Sequence, residues 1–221
     1  MSTIILDVIN HLAGIQPGSS LDTLRDQRPQ ARENAQKSYL ALFEPEFPGT
    51  VTALERYAVA TFVAGLHRQP HVAGFYAAFL QRLGDPRLSD AIDAEIVRGF
   101  TEGPYGRYPQ GPHSVEDKEG VIYQISADSR EILGSRLAAG LEHAHLLVFH
   151  PRDASPGALQ TLLDAGWSTT DIVTLSQLVA FLSFQVRVVA GLRALAGALA
   201  VGARDTEYTQ ISTGVLASGA V

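Results

Sequence analysis

The sequence predicts an all-α helical bundle, and three observations carry that expectation. Apolar residues recur at three- and four-residue spacing through most of the chain. Prolines and glycines fall at intervals that suit helix starts and stops. Alternating, strand-like patterning is confined to one short run, Gly120 to Ile125. The chain has 221 residues, 46% of them hydrophobic and 18% charged, which is enough to bury a core and too apolar for disorder. A net charge of −6 and the lack of any Lys/Arg block argue against a nucleic-acid or anionic-membrane surface.

The elements follow in order. Thr3 to Leu12 reads as a short apolar helix closed by Gly14 and Pro17. Ser19 and Ser20 offer N-caps, and Pro29 suits the first turn of a helix running to Phe43. Glu44 to Gly49 holds two prolines and a glycine and reads as a loop. Thr50 or Thr52 caps a helix from Ala53 to Leu66, with Glu55 in its first turn where the helix dipole favours an acid. Pro70 breaks the run and starts a helix to Leu83, which Gly84-Asp85-Pro86 ends; an amphipathic helix follows from Leu88 to Phe100.

Residues 101–120, rich in glycine and proline, read as a long loop or lid. Helix resumes at Ser126 or Asp128 and runs to Phe149 before Pro151. Ser155-Pro156 opens a short helix to Ala165, Gly166 caps it, and Ser168 begins a last helix to Leu199. Gly65 and Gly74 suit close helix packing. The expected organisation is a single domain: an N-terminal helical extension over 1–50, a main helical domain over 51–200, and a flexible tail over 201–221.

Two segments raise targeting questions. The opening MSTIILDVINHLAG lacks a basic stretch and carries Asp7 inside its apolar run, so no secretory signal is expected. Ile172 to Val201 is long and apolar, but Arg187 in mid-span would cost roughly 2.5–3.5 kcal/mol in lipid. Burial in protein or against a partner subunit is the expectation, with no membrane, no nucleic acid and a cytoplasmic location.

The run LERYAVATFVAGLHRQPHVAGFYAAFL (54–80) and the run ALQTLLDAGWSTTDIVTLSQLVAFLSFQVRVVAGL (158–192) cover about a third of the chain. Together they resemble the alkylhydroperoxidase D (AhpD-like) and carboxymuconolactone decarboxylase superfamily. The resemblance implies an all-helical fold that assembles as a dimer, trimer or hexamer. It also implies a core motif of a glutamate, two cysteines and a histidine that relays protons to the thiols. Laid on this sequence, the glutamate falls on Glu55, the cysteine positions near His67 and Pro70, and the histidine on Gly74, with His71 a turn earlier. The chain contains no cysteine, so these residues cannot run the family's peroxidase route.

What remains is acid–base chemistry on a small organic acid or lactone, without cofactor or metal. Glu55, His67 and His71 are the expected catalytic residues. Tyr57, Arg107 and Tyr108 are the expected substrate-binding ones, Arg107 as a carboxylate clamp on a closing loop. Twelve residues separate Glu55 from His67, about 18 Å of helical rise, so they meet only through neighbouring elements. The opposing reading makes Glu55 a helix cap, the histidines backbone partners around Pro70, and 101–120 a surface Ω-loop packed by its own aromatics.

A second cluster, Glu142, His143, His145 and His150, places His143 and His145 about 200° apart on a helix, which is no chelate. Arg187 and Arg193 suit ion pairs with a partner subunit. The alternative to an enzyme is a catalytically inactive scaffold of the same family that binds a ligand or a paralogous partner.

Overall fold

A computed structural model of the chain describes the backbone of residues 5–217 and the side chains of residues 5–200. Among the described residues every regular element is a helix, apart from one isolated bridge between Gly106 and Lys118. The helices are α1 (Val8–Ala13), α2 (Ser20–Asp26), α3 (Pro29–Phe43), α4 (Ala53–Leu66), α5 (Pro70–Leu83), α6 (Pro86–Gly99), α7 (Ala127–Phe149), α8 (Pro156–Asp164) and α9 (Thr169–Ala217).

The core is built around α4. Eleven of its fourteen residues are buried, a consequence of a sequence apolar on nearly every face. It packs on α5, α6, α7 and α9, and α1 and α3 close the far side against α9. Close packing needs small residues at two contacts, one between α4 and α6 and one between α7 and the turn before α9. A Cβ on Gly65 would lie 2.5 Å from Ile96 of α6, and one on Gly140 would lie 2.6 Å from the Trp167 ring. Gly74, by contrast, faces open space and serves no helix contact.

Several boundaries differ from the sequence expectation, each for a local reason. Helix α1 starts at Val8, not Thr3, because Asp7 caps it and accepts a bond from the Asn10 amide at 2.9 Å. The Thr3 end of that expectation lies outside the described residues. Helix α2 was expected only as a cap: Ser19 caps it, and Arg32 of α3 holds it by pairing with Asp7, Asp22 and Asp26. Pro86 starts α6 instead of merely ending α5, with Asp85 as its cap. Gly134 takes φ 77° and kinks α7.

Gly120 to Ile125 forms no strand. Among the described residues no backbone bridge pairs with it, and of the run only Tyr123 and Ile125 turn inward. Helix α9 continues past the expected end at Leu199 to Ala217; the expected flexible tail from 201 has no described side chains, and 218–221 lie outside the described residues. Thr169–Ala200 is long and apolar enough to span a membrane by length and composition, and half of its most apolar window is buried against this protein.

The 101–120 segment is largely exposed but anchored at one point. Tyr105 is buried, stacks on His150 at 4.7 Å and donates its hydroxyl to the Val121 carbonyl. Gly120 passes so close over that ring that any Cβ would sit 2.1 Å from it.

Gly140→Ala should lower the unfolding free energy by about 1–3 kcal/mol through overpacking. Gly74→Ala, in a helix with open space around it, should raise it by about 0.5–1 kcal/mol. Thermal melts of the two variants check the contrast; equal effects would contradict the packing described.

Candidate functional site

The two ends of α4 have different fates. At its N-terminus, Thr52 and Glu55 form a capping box: the Thr52 hydroxyl accepts from the Glu55 amide, and Glu55 Oε2 accepts from the Thr52 amide at 2.8 Å. Helix α9 starts in the same way, with Ser168 and Asp171 bonded reciprocally. Arg136 of α7 joins the two boxes. Its Nε donates to Glu55 Oε1 at 2.7 Å, Nη2 lies 3.3 Å from Asp171 Oδ2, and Nη1 donates to the Gly166 carbonyl. The guanidinium stacks over Trp167, whose indole N–H returns a bond to the Arg136 carbonyl.

Glu55 is therefore buried and saturated with structural donors. Burial alone would raise the Asp171 carboxyl. Bonds from Thr50, Ser168 and Arg136 outweigh it and hold the group at about 2.

His67 caps the opposite end of α4 and does not meet Glu55. Arg68 takes a left-handed φ of 53°, turning the chain towards Pro70 and laying its guanidinium over Phe100 at 3.5 Å. That turn points His67 at α9, where its Nε2 lies 3.2 Å from Ser183 Oγ. Burial, and next the positive charge of Arg187, push the imidazole down to about 4, so it is neutral at physiological pH.

His67, Ser183 and Arg187 line a cavity of about 580 Å³ between α4, α7, α9 and the start of the 101–120 segment. Pro104, Val148 and Val179 supply apolar wall, and among the described residues no carboxylate lines it. Arg187 is exposed, and its Nη1 donates to the Ser183 carbonyl at 2.6 Å.

The other expected residues lie elsewhere. His71 is exposed on the first turn of α5, beside a shallow hollow shared with His11 and Phe75. Tyr57 is buried in an aromatic cluster, stacked on Phe79 at 4.9 Å. Arg107 pairs with Glu119 on the surface, and Tyr108 packs under Arg152 at 4.1 Å. None of these lines the His67 cavity.

In the second cluster, Glu142 accepts from the Ile125 amide and from Arg130. His145 Nε2 bonds the Gly99 carbonyl at 2.8 Å, and His150 Nδ1 lies 3.0 Å from Asp153. Among the described residues no group of three or more acidic, His or Cys side chains is arranged to hold a metal.

Comparison with family models, curated proteins and solved structures yields no match. The site is read from its own chemistry.

Sequence reasoning missed Ser183, Arg136, Asp171 and Glu95. Glu95 is fully buried, and its carboxylate accepts from Tyr123 at 2.6 Å and from the Ser126 hydroxyl at 2.6 Å. Burial opposes its ionisation, and the Ser126, Tyr123 and Ser129 bonds still hold it at about 2. One signal for the cavity was available: Ser183 and Arg187 stand four apart, on one face of a largely apolar helix.

Two tests follow from these groups. Arg136→Met should cost about 3–5 kcal/mol, because it strands two buried carboxylates, and adding Glu55→Gln and Asp171→Asn should recover most of it. Denaturant melts of the single and triple variants measure this; a near-neutral single variant would refute the clamp.

Acid should act in two stages. His67 and His145, both lowered to about 4, oppose folding once protonated, so stability falls as pH drops from about 6.5 to 4. Asp171 and Glu95, held at about 2, contribute stability that is present above about pH 4.5 and lost from there down to 2. Circular dichroism against pH would show unchanged stability down to pH 2 if these environments were wrong.

Proposed function

We propose that this protein binds a small organic carboxylate in the His67 cavity and performs cofactor-independent acid–base chemistry on it. The observation that carries the reading is a sizeable cavity whose charged lining, among the described residues, is a guanidinium and no acid, beside a neutral imidazole bonded to a hydroxyl. Arg187 suits a carboxylate through its planar fork. His67, uncharged at neutral pH, can take a proton from a bound carbon acid or from a hydroxyl. Residue patterning like that of the alkylhydroperoxidase D and carboxymuconolactone decarboxylase superfamily supports a small organic acid or lactone as the substrate class, handled by residues other than thiols. His67, at one of the family's cysteine positions, is the expected catalytic residue that the cavity favours.

The fate of Glu55 favours a second reading, a binding scaffold without turnover, because the acid that the resemblance assigns to proton relay is here bonded to a cap and an arginine. In both readings the exposed apolar strip of α9, including Val173, Phe184, Leu195 and Leu199, is covered by a second copy of the chain. Arg187 borders that strip, and its charge is one a lipid surface would not accept. A cytoplasmic homo-oligomer is the corresponding form.

Isothermal titration with succinate and with its uncharged analogue succinamide tests the reading. Succinate should bind and succinamide should not, and Arg187→Gln should weaken succinate by roughly 10- to 100-fold, the value of a charge-assisted pair. Equal binding of the two compounds, or no effect of the variant, would refute it.

A further inference from the structure

We propose that Ser183 is a catalytic nucleophile, with His67 as its general base, for hydrolysis of esters or lactones that carry a free carboxylate. The proposal rests on the anion-binding reading of the same cavity and names the reaction performed there.

The observation behind it is where the Ser183 hydroxyl goes. Hydroxyls inside helices ordinarily bond back to the carbonyl four residues earlier. Thr61 does so to Tyr57, Thr174 to Thr170 and Ser176 to Ile172 in this chain. Ser183 forms no such bond. Its hydroxyl reaches across to His67 Nε2 at 3.2 Å, inside a cavity with room for a substrate. A hydroxyl released from its own backbone and aimed at a neutral imidazole is the arrangement that activates a serine.

Arg187, one turn further along α9, places the carboxylate end of the substrate. Its Nη1 is held by the Ser183 carbonyl, which leaves Nε and Nη2 for the ligand. Next to burial, the same charge disfavours protonation of His67. A bound carboxylate neutralises that charge, so the base strengthens when substrate is present.

The steps balance without a redox partner. His67 Nε2 takes the Ser183 hydroxyl proton as Oγ bonds to the ester carbonyl carbon, and the π pair moves to the carbonyl oxygen. Collapse of this intermediate breaks the bond to the leaving alkoxide, which takes the proton from His67 and departs as alcohol. Water then attacks the acyl-serine, giving a proton to His67. The Oγ–acyl bond breaks, the product acid leaves, and Oγ recovers the proton.

The test uses the full chain with a fluorophosphonate probe, peptide mass mapping, and the chromogenic esters 4-nitrophenyl hydrogen succinate and 4-nitrophenyl acetate. The expected label is on Ser183, absent in Ser183→Ala and slowed by about 100-fold or more in His67→Gln, the usual value of a general base. Hydrolysis should favour the charged ester by about tenfold, and Arg187→Gln should abolish that preference.

Each failure has its own signature. Succinate binding with no label on Ser183 overturns the nucleophile and keeps the anion site. A Ser183 label without charge preference overturns the anion site and keeps the nucleophile. Label on another residue overturns the proposal, and the label position in the unaltered chain decides this even if a variant fails to fold.

Discussion

Arg136 is the tie on which the rest of the fold depends. One guanidinium reaches the capping box of α4, the capping box of α9 and the Gly166 carbonyl between α8 and α9, while its face covers Trp167. Two carboxylates, Glu55 and Asp171, are buried at this point and would be costly without a cation between them. The tie sets where α4 and α9 start relative to each other, and it does so through α7, which lies between them in sequence. Packing of apolar faces then fills the space, but packing alone does not choose the register of three helices so specifically.

Fixing the two N-termini decides what happens at the far end of α4. The helix runs about 20 Å from its cap to His67, and α9 rises alongside it. Ser183 and Arg187 consequently arrive level with His67. The end that carries an acid is consumed by structure, and the end that carries a histidine opens on a cavity. The Glu55–Arg136–Asp171 cluster and the His67–Ser183 pair thus sit at opposite ends of one apolar helix.

Much of the helical order was legible in the sequence because its determinants are local. Proline at the first turn of α3, α5 and α8, the Thr52–Glu55 box, and apolar recurrence in α4 each act within a few residues. The site was less legible, because side chains distant in sequence build it. Glu55 meets Arg136 across 81 positions and His67 meets Ser183 across 116, and no periodicity reports such meetings. Arg107 and Tyr108 illustrate the same limit: a loop rich in glycine and proline suggests a lid, whereas Tyr105 inside it anchors the loop to His150 and the Val121 carbonyl. The run 120–125 has strand-like alternation, and a strand needs a neighbour that this fold does not place there.

The chain has no cysteine, and the proposed chemistry rests on the His67 end of α4. The protonation of that one ring tests the account most directly. Its ¹⁵N shifts, followed against pH by NMR, should give a pKa of about 4 in the free protein, rising in the presence of succinate and also in Arg187→Gln. A pKa near 6.5 that ignores both succinate and Arg187 would mean an imidazole open to water and uncoupled from the arginine, and would contradict the site described.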